Sequence, residues 1–199
     1  MLNADHHAGI GVLLLYYQPS AYMNARFTIA TLSSQPETIA ALANLIIDTV
    51  ANGGSVSFMH PLAPEKATAF WEASLAAAGR GERVILGAYD GRLLISTVTL
   101  LLDCPPNQPH RAEIAKMMTR AEYRGQGAAR MLLQAAERIA VERGKTLLTL
   151  DTAEDEGAAG LYDKMGYQRT GVIPDFALKP HGGLTGTIIY WKRLSPPAY

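Results

Sequence analysis

The stretch Thr119-Arg120-Ala121-Glu122-Tyr123-Arg124-Gly125-Gln126-Gly127-Ala128-Ala129-Arg130 decides the fold. It joins an apolar run, Arg111–Thr119, to a segment in which Ala128, Met131, Leu132, Ala135, Ala136 and Ile139 recur at helical spacing. The sequence therefore predicts a strand, a glycine-rich turn and a long helix over Gln126–Arg143, with Gly144 as its stop. Gly125 and Gly127 permit positive φ and close backbone approach. The first-turn amides of a helix have no intrahelical acceptor and lie at the positive end of its dipole. Such a turn binds anions through its backbone. Arg124 and Arg130 add side-chain charge suited to phosphate oxygens. The plainer reading is a solvated turn with two exposed arginines. The coincidence of strand, glycines, arginine and helix weighs against it.

Two well-known phosphate loops do not match. A dinucleotide fingerprint needs glycine almost directly after the strand and a small residue at its last position. Here Arg120–Arg124 intervene and the last position is Arg130. The pattern GxxxxGK[ST] of nucleoside-triphosphate loops is absent.

Working outward, Phe27–Thr31 reads as a strand. Helices follow from Pro36, with Ile39, Leu42, Ala43, Ile46, Ile47 and Val50 inward, and from Pro64, with Ala67, Phe70, Trp71, Leu75 and Ala78 inward. Arg83–Tyr89 and Arg92–Leu102 form a hairpin about Asp90-Gly91. After the decisive stretch come a strand at Thr146–Asp151, a helix at Asp155–Met165, a strand at Tyr167–Ile173 and a last strand at Thr185–Arg193. Pro174-Asp175-Phe176 and Pro180–Gly183 read as loop bordering a substrate site. The order β α α β β β α β α β β predicts a single α/β (α+β) domain. Its sheet is mixed and mostly antiparallel, of about seven strands, with helices on both faces.

Composition narrows the function. Of 199 residues, 48% are hydrophobic and 18% charged, which excludes a disordered chain. Lys+Arg and Asp+Glu are both 18, so there is no global pull towards nucleic acid or an anionic membrane. Cys104 is the only cysteine, which fits a reducing cytoplasm. The scattered His60, His110 and His181, and the pair His6-His7, have no metal-ligand spacing, and no metal is expected. The apolar run Ile10–Tyr17 is too short to span a bilayer, and the first basic residue is Arg26, so neither anchor nor export signal is expected. Residues 1–22 read as an extension upstream of the domain at 23–199, either a mis-set start or a docking arm.

Arg124-Gly125-Gln126-Gly127-Ala128-Ala129 resembles the R-x-x-G-x-G/A signature of the GNAT N-acetyltransferases. Leu161-Tyr162-Asp163-Lys164-Met165-Gly166-Tyr167 resembles that family's later L-Y-x-x-x-G-[FY] motif. Arg111-Ala112-Glu113, Leu150-Asp151-Thr152, Gly53-Gly54-Ser55-Val56 and the ending from Gly182-Gly183-Leu184 to Tyr190 look like the tabtoxin-resistance branch. The resemblance runs from about Phe27 to Leu194. It implies that Arg124, Gly125, Gln126, Gly127, Ala128, Ala129 and Arg130 cradle the pyrophosphate of acetyl-CoA. It also implies that pantetheine lies along Arg111–Thr119, against backbone near Met118 and Thr119, with room made by a bulge and by a splay from the next strand. Ala121 stands where the family often has proline, and Asp155 where it often has asparagine, so Asp155 is given no role.

Three residues carry the expected chemistry. By the resemblance, Tyr162 reaches the CoA sulfur; a phenol near pKa about 10 can exchange a proton with a thiolate. The plainer reading is a core tyrosine on the stripe Ala158, Leu161, Met165. Glu113 and Asp151 sit on otherwise apolar strands, where a carboxylate is costly unless used or paired. Either one is the candidate base or counter-charge for an ammonium. Their plainer readings are an ion pair of Glu113 with Arg111 or Lys116, and a strand-end cap by Asp151. The expected reaction is acetyl transfer from acetyl-CoA to a primary amine of a small molecule, toxin- or antibiotic-like by the branch resemblance. A peptide or protein amine is the alternative acceptor. A non-catalytic acyl-CoA-binding regulator is the alternative class, although binding alone needs none of Glu113, Asp151 and Tyr162. Family habit leaves a homodimer open.

Overall fold

The computed structural model describes residues 26–154 and 159–195. The proposed extension at 1–22 and Asp155 lie outside them. The elements run β1 (Thr28–Thr31), α1 (Pro36–Ala51), α2 (Pro64–Gly79), β2 (Arg83–Asp90), β3 (Leu93–Leu101) and β4 (Arg111–Thr119). Then come α3 (Ala128–Glu142), β5 (Leu147–Ala153), α4 (Ala159–Lys164), β6 (Gln168–Leu178) and β7 (Leu184–Arg193). A 3-10 turn, Ala121–Tyr123, lies between β4 and α3. The expected order of elements is therefore the observed one. The seven strands form one sheet in the order β1-β2-β3-β4-β5-β7-β6. β4 and β5 are parallel, and the other neighbours are antiparallel.

Both faces are covered, and the cores follow from period. On one face α1 and α2 set Leu42, Leu45, Ile46, Val50, Trp71 and Leu75 against Ile85 and Leu94 of the sheet. On the other, Leu132, Leu133 and Ala136 of α3 pack on Ile95, Ala112, Ile114 and Leu148. Trp71 is fully buried and meets Phe70 edge-on at 5.0 Å between ring centroids. Trp71→Ala is expected to cost about 3–5 kcal/mol of stability, as large-to-small changes at buried aromatics do. A urea midpoint moved by less than the equivalent of about 1 kcal/mol would contradict that packing.

One expectation needs correction. Pro174-Asp175-Phe176 is not a loop after the strand but lies within β6, which runs on to Leu178. Proline has no N–H for a ladder and is confined to edges and bulges. β6 is the sheet edge, and its register with β7 shifts between Ile173 and Ala177 before pairing resumes at Ala177↔Thr185 and Leu178↔Leu184. The β6–β7 turn then docks on the α1–α2 connection. The His60 N–H donates to the Pro180 carbonyl at 2.9 Å, and the His60 and His181 rings meet at 4.5 Å between centroids, tilted by 45°. No helix among the described residues is long and apolar enough to cross a membrane.

Candidate active site

β4 carries the feature that opens the sheet. Thr97 faces Met118 and Thr99 faces Ala115, so Lys116 and Met117 together oppose Val98. Two residues against one is a β-bulge, and Lys116 sits at φ 50 within it. On its other side β4 pairs with β5 only at Arg111↔Leu147, Ala112↔Leu148 and Glu113↔Thr149. Beyond that point the two strands part. The expected bulge and splay are both present.

A cavity of about 520 Å³ occupies the gap, and Glu113, Asp151 and Tyr162 all line it. Each arrives by a different route. Ala112 and Ile114 point into the α3 core, so Glu113 points to the opposite face. Leu148 and Leu150 do the same for β5, which puts Asp151 on the face of Glu113. Tyr162 comes from α4 and belongs to the α3 core, 4% exposed, with its ring against Tyr167 at 5.8 Å and Tyr190 at 5.7 Å. The two carboxylates and the phenol thus approach the gap from opposite faces of the sheet.

The carboxylates have different partners. Arg111 Nη1 donates to Glu113 Oε2 at 3.3 Å and to Thr149 Oγ1 at 2.8 Å. The ion-pair reading of Glu113 is therefore present, through Arg111. Asp151 accepts a hydrogen bond from Thr187 Oγ1 at 3.1 Å and enters no ion pair among the described residues. Burial pushes the Lys116 ammonium below the usual lysine range, and Asp151 and then Glu113 pull it partly back.

The glycine-rich turn has the exposed backbone that anion binding requires. Gly125 and Gly127 stand at φ 75 and φ 93, and a Cβ on either would meet no protein atom within 4 Å, only open space. The Met131 N–H to the Gly127 carbonyl, at 3.1 Å, is the first bond of α3. The amides of Ala128, Ala129 and Arg130 therefore have no acceptor inside the helix. Arg124, Gly125, Gln126, Gly127 and Arg130 are exposed, while Ala128 buries its methyl group and offers only its backbone. Arg26 Nη1 donates to Gln126 Oε1 and holds that side chain to one side.

Residues 50–167 match the model of the acetyltransferase (GNAT) family. The chain belongs to that family. Solved relatives agree in fold at low identity. An N-acetyltransferase from Staphylococcus aureus Mu50 superposes with TM-score 0.71 at 19% identity, over 84% of this chain and 99% of that one. The Salmonella typhimurium protein yncA, a putative acetyltransferase solved with its cofactor acetyl-CoA, gives 0.71 at 16% identity, over 88% and 98%. Among curated proteins, rat N-acetyltransferase 8F1 is 30% identical over 86 residues, 42% of this chain and 39% of the relative. The chain thus spans about two fifths of the length of the curated relatives it matches, 39% of the rat protein and 41% of the mouse family 8 member 5. None of these singles out the tabtoxin-resistance branch within the GNAT family.

Among the GNAT residues expected from sequence, Glu113, Asp151 and Tyr162 converge on one cavity. Met118 and Thr119 lie just beyond the bulge and outside the cavity lining. The Met118 side chain is buried in the α1–α2 core, and its carbonyl accepts from Ser96 Oγ at 2.6 Å. Sequence reasoning missed Lys116 and Ser57 as cavity residues. Phe176, read as part of a bordering loop, lines the cavity from β6 instead.

Proposed function

We propose that this GNAT member transfers the acetyl group of acetyl-CoA to a primary amine of a small molecule. The observation that carries the reading is the convergence of Glu113, Asp151 and Tyr162 on the gap between β4 and β5. The exposed turn at Gly125–Arg130 fits a pyrophosphate, because its amides face outward and a Cβ would fill only open space there. Arg124, Gly125, Gln126, Gly127, Ala128, Ala129 and Arg130 would hold it. The β4 edge beyond Glu113, through Met118 and Thr119, has no partner in β5 and would receive the pantetheine amides. Acetyl-CoA supplies the acetyl group as a thioester.

The protein's own groups do the rest. Glu113 and Asp151 hold the ammonium form of the acceptor, and one of them takes its proton, directly or through water. A backbone N–H near Met118 donates to the carbonyl oxygen as negative charge develops there. Tyr162 gives a proton to the departing thiolate, and the buried side of the gap excludes water. The branch resemblance favours a toxin- or antibiotic-like amine.

The test is a screen of primary amines followed by release of the CoA thiol, with acetyl-CoA affinity measured separately by calorimetry. Acetyl-CoA is expected to bind wild-type protein and to lose about tenfold or more in affinity with Gly127→Val, which forces a branched side chain into φ 93. Tight binding with no thiol release across the panel would favour a regulator. Unchanged affinity in Gly127→Val would remove the turn from the site.

A further inference from the structure

Lys116 is the residue of the cavity whose place the reaction above does not explain. Strict alternation from Ile114 would send it into the α3 core, together with Met118. The bulge inverts the phase. Met117 packs on the α3 side, while Met118 joins the α1–α2 core. Lys116 therefore faces the same side as Glu113 and lines the same cavity.

Holding it there costs backbone strain. Three non-glycine residues among the described ones have positive φ: Ser57 at 73, Lys116 at 50 and Asp175 at 52. Ser57 and Lys116 line the cavity, and Asp175 precedes Phe176, which also lines it. Such strain gathers where surrounding structure enforces it, most often at functional sites. Lys116 Nζ donates to Ser57 Oγ at 3.0 Å and lies 5.8 Å from the centroid of the Phe70 ring.

What the ammonium lacks is an anion. It enters no ion pair among the described residues, and Glu113 is bound by Arg111 instead. An ammonium has three donors, and Ser57 takes one. A partly desolvated charge with no counter-ion in contact is costly; burial lowers the Lys116 pKa, and the charges of Asp151 and Glu113, not in contact with it, offset that only in part. Among the described residues, the lining holds two carboxylates, Glu113 and Asp151, and one cation, Lys116. A simple amine would satisfy the carboxylates and leave the lysine as it is. A molecule with an amine and an anion matches all three in sign.

We propose that Lys116 is the anion-holding residue of the acceptor site, so that the acceptor is an amine that also carries a carboxylate or a phosphorus oxyanion. The proposal rests on the acetyl-transfer reading. The test uses matched sets built on leucine, methionine and phenylalanine: the amino acid, its carboxamide, the amine without the acid group, and the aminophosphonate. Wild-type protein is expected to turn over an anion-bearing member with kcat/KM roughly tenfold to a hundredfold above its carboxamide, the usual range for a charge-assisted hydrogen bond. The carboxylate and phosphonate arms identify which anion is used. Lys116→Met should erase the preference through KM while kcat is nearly held, and Lys116→Arg should restore part of it. Carboxamides accepted as well as acids, or Lys116→Met slowing every member alike, would overturn the proposal. So would turnover of neutral amines alone, or no turnover of any anionic member by protein that still binds acetyl-CoA. Failure to bind acetyl-CoA at all is a different result and would overturn the parent reading.

Discussion

Tyr162→Phe is expected to lower kcat by about 10²–10⁴-fold, the range for a general acid, while the affinity for acetyl-CoA moves by less than about threefold. The substitution removes one oxygen and leaves the ring. The ring is the part that packs, against Tyr167 and Tyr190 in the α3 core. α4 would also keep its end, where the Tyr167 N–H donates to the Tyr162 carbonyl at 3.0 Å. Folding stability should therefore fall by only about 1 kcal/mol, the net worth of a hydroxyl contact. The pyrophosphate contacts proposed for the turn at Gly125–Arg130 lie on a different element, so binding should survive. A thermal melt, a calorimetric titration and a steady-state assay separate the three quantities. Turnover within about threefold of wild type would assign Tyr162 to the core alone.

The sequence made the frame of this site readable because period and punctuation agreed. The apolar stripe of α3 and the glycines before it gave the helix, the turn and the exposed amides together. The expected helix start at Gln126 was two residues early, because Gly127 at φ 93 is outside helical geometry. The strand expected over Tyr167–Ile173 stops at Pro174-Asp175-Phe176, which reads as loop. The strand instead crosses a register shift at the sheet edge and resumes pairing, which no local rule on Pro174-Asp175-Phe176 predicts. Lys116 was hidden for a related reason. Glu-Ile-Ala-Lys-Met-Met contains no glycine or proline to announce a bulge, and period two assigns its lysine to the wrong face. Tertiary pairing against Val98 decides the matter, and only the register shows it. Glu113 and Asp151 were legible because a carboxylate on an apolar strand asks for an explanation. Their difference was not, since it depends on Arg111 and Thr187 side chains reaching them.

On the proposed acetyl-transfer reading, that difference would separate the roles of the two carboxylates. Glu113 stands at the last β4–β5 pair, with an oxygen taken by Arg111. Asp151 stands two residues past Thr149, where the strands have already parted, and its carboxylate accepts from the Thr187 hydroxyl. Asp151 is therefore better placed to take a proton in the gap, and Glu113 to serve as fixed counter-charge. Asp151→Asn is expected to lower kcat by about 10²–10³-fold near neutral pH, the span of a lost general base. Glu113→Gln should act mainly on KM for the acceptor, because it removes charge from a group whose geometry Arg111 still defines. The two variants should also differ with pH. An alkyl amine of pKa about 10 becomes neutral without help as pH rises, so the Asp151→Asn rate should climb towards wild type between about pH 7 and 10. Glu113→Gln should show no such recovery in kcat, because its deficit lies in binding the charged amine, which is itself disappearing over that interval. Equal losses of kcat in the two variants across the whole range would mean that the carboxylates act as one unit, and the asymmetry imposed by Arg111 would carry no catalytic weight.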